Sequence, residues 1–194
     1  MSIRFKGTSD FRIVFIHGYT ASSQADWYPN ISKELKKLNI DFAIPDLPGG
    51  EYPHASQWLE TLHAEIQKSS KPLVLVGHSL GSRTVPLYLE KYRPKVKLVL
   101  LVAAFANRLE NAKRRDEHYA DFFGYKIDIS KIKPLAGKFI VMHSKDDDSI
   151  AYEQGVKIAK DLGAQLLTYQ DRGHFFDPQN AKTILEVLRK ELNV

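Results

Sequence analysis

Leu73-Val74-Leu75-Val76-Gly77-His78-Ser79-Leu80-Gly81 is the stretch from which the rest of the chain is read. Leu73 to Val76 is an apolar run of the kind that makes a buried strand, and Arg83 to Tyr92 has a helical pattern just beyond it. Between the two, Gly77-His78-Ser79-Leu80-Gly81 must turn sharply. A serine at such a turn has its hydroxyl pushed out at the top of a sheet, with a helix start behind it. Gly77 and Gly81 suit the crossing because a side chain at either position would crowd the backbone. The pentapeptide also occurs by chance. Its weight comes from the strand before it, the helix after it, and acid and histidine candidates further on in the expected order.

Outward from this point, the pattern repeats in both directions. Phe11 to Ile16 is an apolar strand ending in His17-Gly18-Tyr19, and Trp27, Ile31 and Leu35 recur at helical spacing up to Lys37. Asp41 to Ile44 forms the next strand, closed by the turn-rich Pro45-Asp46-Leu47-Pro48-Gly49-Gly50. Trp58, Leu62 and Ile66 mark a second helix with Ser56 as its expected cap. Val96 to Val102 is almost continuously apolar, as in a parallel sheet covered on both faces. After Phe139 to Met142, with His143 closing that strand as a core residue, come a helix over Tyr152 to Leu162 and a strand over Gln165 to Tyr169. Ala181 to Leu192 is the last helix.

Strand and helix alternate without a break in composition, which predicts one α/β domain over residues 1–194. The expected architecture is a three-layer sandwich: a mostly parallel sheet of about six strands with helices on both faces. The 34 residues from Ala104 to Gly137 have only partial periodicity, charged at first and then aromatic at Tyr119, Phe122, Phe123 and Tyr125. In such sheets ligands bind at the carboxyl ends of the strands, where His17, Ser79, Phe105, Asp147 and His174 all fall.

A serine hydroxyl attacks well only when a base takes its proton, and the base works best with an acid fixing its tautomer. Of seven histidines, His174 alone lies on the loop after the last strand. His78 adjoins the serine but should point elsewhere. His54, His63 and His118 suit surface roles, and His17 shapes the rim through backbone contacts. The loop before the last strand offers Asp146, Asp147 and Asp148, one of which is the acid. Two backbone amides, Leu80 N–H and Tyr19 N–H, are placed to receive the charge that acyl transfer puts on a carbonyl oxygen. Phe105, Phe122 and Phe123 are candidates for the acyl-side wall, although the last two equally suit packing on the sheet.

Gly77-His78-Ser79, Leu101-Val102-Ala103-Ala104-Phe105, Ser144-Lys145-Asp146-Asp147 and Gly173-His174-Phe175, together with Trp27, resemble an α/β-hydrolase. The resemblance is to the small serine hydrolases of the retinoblastoma-binding protein nine type, and it spans about Phe11 to Leu192. It implies a compact hydrolase without a large cap, with a small lid-like insertion at about 104–137, using Ser79, Asp147 and His174 on small carboxylic esters. The aspartate loop departs from the usual pattern, with Asp148 and Ala151 where prolines are common, so Asp146 stays open as the acid. The same triad serves amide or thioester cleavage, and the fold also suits a non-catalytic interaction module.

Composition excludes several other classes. No run reaches the ~18 apolar residues of a membrane span, and Met-Ser-Ile-Arg-Phe-Lys has no signal-peptide core. With no cysteine there is no thiolate nucleophile, disulfide or zinc-thiolate site, which fits a reducing cytoplasm. The net charge of +5 and the basic run Lys113-Arg114-Arg115 are diluted by Glu110, Asp116, Glu117 and Asp121, and no nucleic-acid motif accompanies them. No phosphate-cradling glycine motif is present, and the expected chemistry needs neither metal nor organic cofactor. The expected partner is a small-molecule ester, and no motif fixes an oligomeric state.

Overall fold

The computed structural model describes residues 9–105 and 116–194. Six strands run parallel in the order β2-β1-β3-β4-β5-β6: β1 (Arg12–Ile16), β2 (Asp41–Ala43), β3 (Leu73–His78), β4 (Val96–Val102), β5 (Phe139–Ser144) and β6 (Gln165–Tyr169). Parallel neighbours need crossovers, and these are helical: α1 (Tyr28–Lys37), α2 (Ala55–Ile66), α3 (Leu80–Tyr92) and α5 (Tyr152–Leu162), with α6 (Asn180–Leu192) following β6.

Successive side chains on a strand face opposite ways, so the central strands feed two cores. Val14, Leu75, Val99, Leu101 and Val141 pack with Trp58 and Leu62 of α2, Val85 of α3 and Ile158 of α5. Phe15, Val74, Val76, Leu100 and Met142 pack on the other side with Ile31 and Leu35 of α1 and Ile184 and Leu188 of α6. Helices therefore cover both faces, which is why these strands read as apolar runs rather than alternating ones.

Two local expectations change. α3 begins at Leu80 rather than Arg83, because Ser79 itself ends the turn and Gly81 and Ser82 already lie in the first helical turn. Ser56 does not cap α2: His54 holds the cap position, and the Asp121 carboxylate accepts a bond from Ala55 N at 2.9 Å instead. The described part of the 104–137 insertion is a 3₁₀ run (Asp116–Phe123), the one-turn α4 (Ile129–Ile132) and a second 3₁₀ turn (Lys133–Leu135). Arg83 ties this segment to α3 by donating to the carbonyls of Phe122 and Tyr125, each at 3.1 Å. The basic run at Lys113-Arg114-Arg115 lies outside the described residues. No helix among the described residues is long and apolar enough to cross a membrane.

Candidate active site

Ser79 sits between β3 and α3 with φ 53° and ψ −119°, a backbone conformation that costs a non-glycine residue about 1–3 kcal/mol. The surroundings hold it there. Ser79 N donates to Val102 O at 3.0 Å, and the N–H and hydroxyl of Ser82 both donate to Ser79 O, at 2.8 and 2.6 Å. A Cβ on Gly77 would lie 2.5 Å from Gly81 O, and one on Gly81 would run into Ile16 O. The two glycines are thus where the turn crosses itself and presses on the end of β1. Gly18 brings the loop after β1 close as well, since a Cβ there would come 3.1 Å from Ser79 Cβ.

His174, on the loop after β6, places Nε2 2.9 Å from Ser79 Oγ. Its Nδ1 lies 2.9 Å from Asp147 Oδ2 and 3.1 Å from Oδ1. With the carboxylate ionised, Nδ1–H donates to it and Nε2 is left as the acceptor facing the serine hydroxyl. Three side chains from three loops therefore form one continuous line of hydrogen bonds.

Asp147, not Asp146, meets His174. Its Oδ1 accepts from Ser149 N and Ile150 N, both at 2.8 Å, which aims the carboxylate inward. Burial alone would push this carboxyl up. Bonds to His143 and His174 and the backbone of Ile150 outweigh it and hold the group well below the usual carboxylate range. Asp146 accepts from Ser144 Oγ at 2.5 Å and from Gly173 N at 3.0 Å, so it braces the His174 loop from outside. Asp148 is exposed.

Two further histidines support the line. His143, fully buried at the end of β5, donates from Nε2 to Ile150 O at 3.0 Å and lies 3.4 Å from Asp147 Oδ2. The ring fits only because Gly155 has no Cβ to strike it. His78 turns away from Ser79 Oγ yet remains in the site, donating from Nε2 to His174 O at 2.8 Å. Burial, reinforced by the nearby His174 charge, lowers its pKa to about 3, so its ring is neutral. The expectation that it points elsewhere holds for the serine and fails for the site. His118 also reaches the rim, with Nδ1 2.9 Å from the Tyr19 hydroxyl.

A cavity of about 210 Å³ opens beside Ser79. Tyr19, Leu80, Phe105 and His174 line it, together with Asp26, Tyr119, Ile150 and Phe176, for which the sequence carries no local signal. His17, Phe122 and Phe123 do not. His17 is buried, donating from Nδ1 to Gly18 O at 2.8 Å and accepting from Leu47 N at 2.9 Å, so it shapes the loop from behind. Phe122 packs edge-on against Trp58, with ring centroids 5.1 Å apart, and Phe123 stands near Phe105 at 5.6 Å. The backbone leaves helical geometry at Tyr119 (φ −129°), whose ring lines the cavity, while Phe122 is buried and Phe123 half-buried. Among the described residues no cluster of three or more histidine, aspartate or glutamate side chains is arranged to hold a metal.

Comparison with known proteins points the same way. The serine hydrolase family profile matches residues 13–182. The Bacillus subtilis protein YdeN is 29% identical over 170 residues, covering 87% of each chain. The rat (Rattus norvegicus) serine hydrolase RBBP9 is 27% identical over 150 residues, covering 77% of each. The crystal structure of the B. subtilis ydeN product superposes with a TM-score of 0.84 at 28% identity, covering 95% of this chain and all of the other. Est1E from Butyrivibrio proteoclasticus, solved with ferulic acid bound, shares the fold at 14% identity, with a TM-score of 0.75 over 100% of this chain and 94% of its own.

Proposed function

The chain belongs to the serine hydrolase family, and from that premise we propose that it cleaves small carboxylic esters through an acyl-enzyme formed on Ser79. The observation that carries this reading is the unbroken line Asp147–His174–Ser79, with both histidine nitrogens 2.9 Å from their partners. His174 Nε2 takes the hydroxyl proton as Ser79 Oγ bonds to the ester carbonyl carbon. Asp147 stabilises the imidazolium that results, and the N–H groups of Tyr19 and Leu80 receive the negative oxygen, each such donor being worth about 3–4 kcal/mol. The imidazolium then gives its proton to the departing alcohol. Water, deprotonated by the same imidazole, attacks the acyl group and releases the acid, restoring Ser79.

The described part of the 104–137 insertion serves as one wall of the cavity, through Tyr119. Ferulic acid, the molecule bound to Est1E, is a small carboxylic acid, the product class this chemistry releases. The absence of cysteine suits work in a reducing cytoplasm.

A fluorophosphonate probe tests the assignment, because it labels only an activated serine. Rapid labelling of the parent is expected. Ser79→Ala should abolish it, and His174→Ala should slow it by about 10³-fold or more. Labelling that persists in Ser79→Ala refutes the reading.

A further inference from the structure

Asp26 stands on the loop after β1 and lines the cavity that holds Ser79 and His174. Its side chain is 16% exposed, and no hydrogen bond among the described residues ends on its carboxylate. The nearest ring nitrogen is His78 Nδ1, 3.9 Å from Oδ2. That approach is not a bond. His78 spends its one proton on His174 O through Nε2, so Nδ1 is a bare lone pair, buried and without a partner. A carboxylate and a lone pair face each other, and the carboxylate also borders the cavity.

The rest of the wall agrees with this charge. Tyr19, Phe105, Tyr119 and Phe176 line the same space, and aromatic faces attract cations. The position within the site is also defined. Asp26 lies beside His78, and the Phe176 ring is 4.6 Å from that of His174 and 5.8 Å from that of His78. On the proposed mechanism His174 hands its proton to the departing alcohol, and Asp26 is near enough to His174 for their charges to interact. We propose that Asp26 selects esters whose alcohol part carries a positive charge, as in the esters of amino alcohols. The inference rests on the esterase reading above and narrows it.

Burial pushes the Asp26 carboxyl up to about 6, so the selecting charge is present above that pH and is lost as pH falls through it. The groups facing it are His78 and His174 from the sheet edge and Tyr28 from α1. His78 stays neutral above about pH 3, and burial raises the Tyr28 hydroxyl well above its ordinary range. His174 serves every ester alike.

Acetylcholine and 3,3-dimethylbutyl acetate form the test pair, being equal in shape and differing in one fixed charge. The ratio of their kcat/KM values cancels whatever acts on both esters alike. At pH 8 the parent should favour acetylcholine by about tenfold or more, and the ratio should decline toward one between pH 7 and pH 5. Asp26→Asn should bring it near one at every pH. Should that variant fail to fold, the pH dependence of the parent ratio decides alone. A parent ratio near one at pH 8, or a preference that survives Asp26→Asn, overturns the inference. A protein that cleaves p-nitrophenyl acetate yet neither member of the pair overturns it while sparing the esterase reading. A protein that cleaves no ester although Ser79 is labelled ends both.

Discussion

Asp146, Asp147 and Asp148 carry the same chemical group and differ only in where the backbone sends it. Asp147 is turned in by the amides of Ser149 and Ile150, Asp146 is drawn to Ser144 and Gly173, and Asp148 is exposed beside the Ser149 hydroxyl. Asp147→Asn keeps the shape but removes the acceptor that fixes the tautomer of His174, and kcat should fall about 10⁴-fold. Asp146→Asn should cost far less in kcat and show instead as a lower thermal midpoint, because it loosens the loop without touching the imidazole. Steady-state kinetics beside a melting curve separates the two. An equal loss of kcat from both variants would contradict the geometry. The sequence narrows the acid to these three and stops, since the choice depends on a two-residue turn. His78 shows the same limit. Neighbours on a tight turn do diverge, but its partner is a carbonyl 96 residues away.

The strand-turn-helix element around Ser79 was far more legible. An apolar run, two glycines at fixed spacing and a helix start are local signals, and the glycines correspond to contacts: Gly77 to Gly81, and Gly81 to the end of β1. Gly81→Ala should therefore destabilise the protein by about 3 kcal/mol or more, because backbone rather than a pliable side chain blocks the added methyl. Gly124→Ala, whose methyl would come no closer than 3.4 Å to Asp121 O, should change stability by less than about 1 kcal/mol. Urea denaturation of the two variants checks the contrast, and comparable losses would mean the crossing is looser than described. The aromatic run at 119–123 was not legible in this way. A 3₁₀ run stacks every third residue, and the break at Tyr119 resets which face points inward, so no helical or strand period predicts the outcome. The cap of α2 was hidden for a similar reason, since Asp121 lies 66 residues from the amide it satisfies.

At the scale of the molecule, the parallel sheet does the assembling. Every strand ends on the same side, so the loops after β1, β3, β4, β5 and β6 meet at one edge without further design. That much follows from strand and helix alternating along the chain, which is why the architecture could be read before any contact was known. The size of the space they enclose could not. A cavity of about 210 Å³ with aromatic walls admits a short acyl chain and leaves a long one in solvent. p-Nitrophenyl acetate should be hydrolysed with a kcat/KM at least about tenfold above that of the decanoate, and the reverse order would show that the walls part more than described. The wide spacing of the reacting groups along the chain has an outcome of its own during synthesis. The hydroxyl is made 95 residues before the imidazole that activates it. At about 5–20 residues per second a ribosome takes roughly 5–20 s to cover that interval. On the proposed mechanism Ser79 has no base until then, so translation itself sets a delay before it can react.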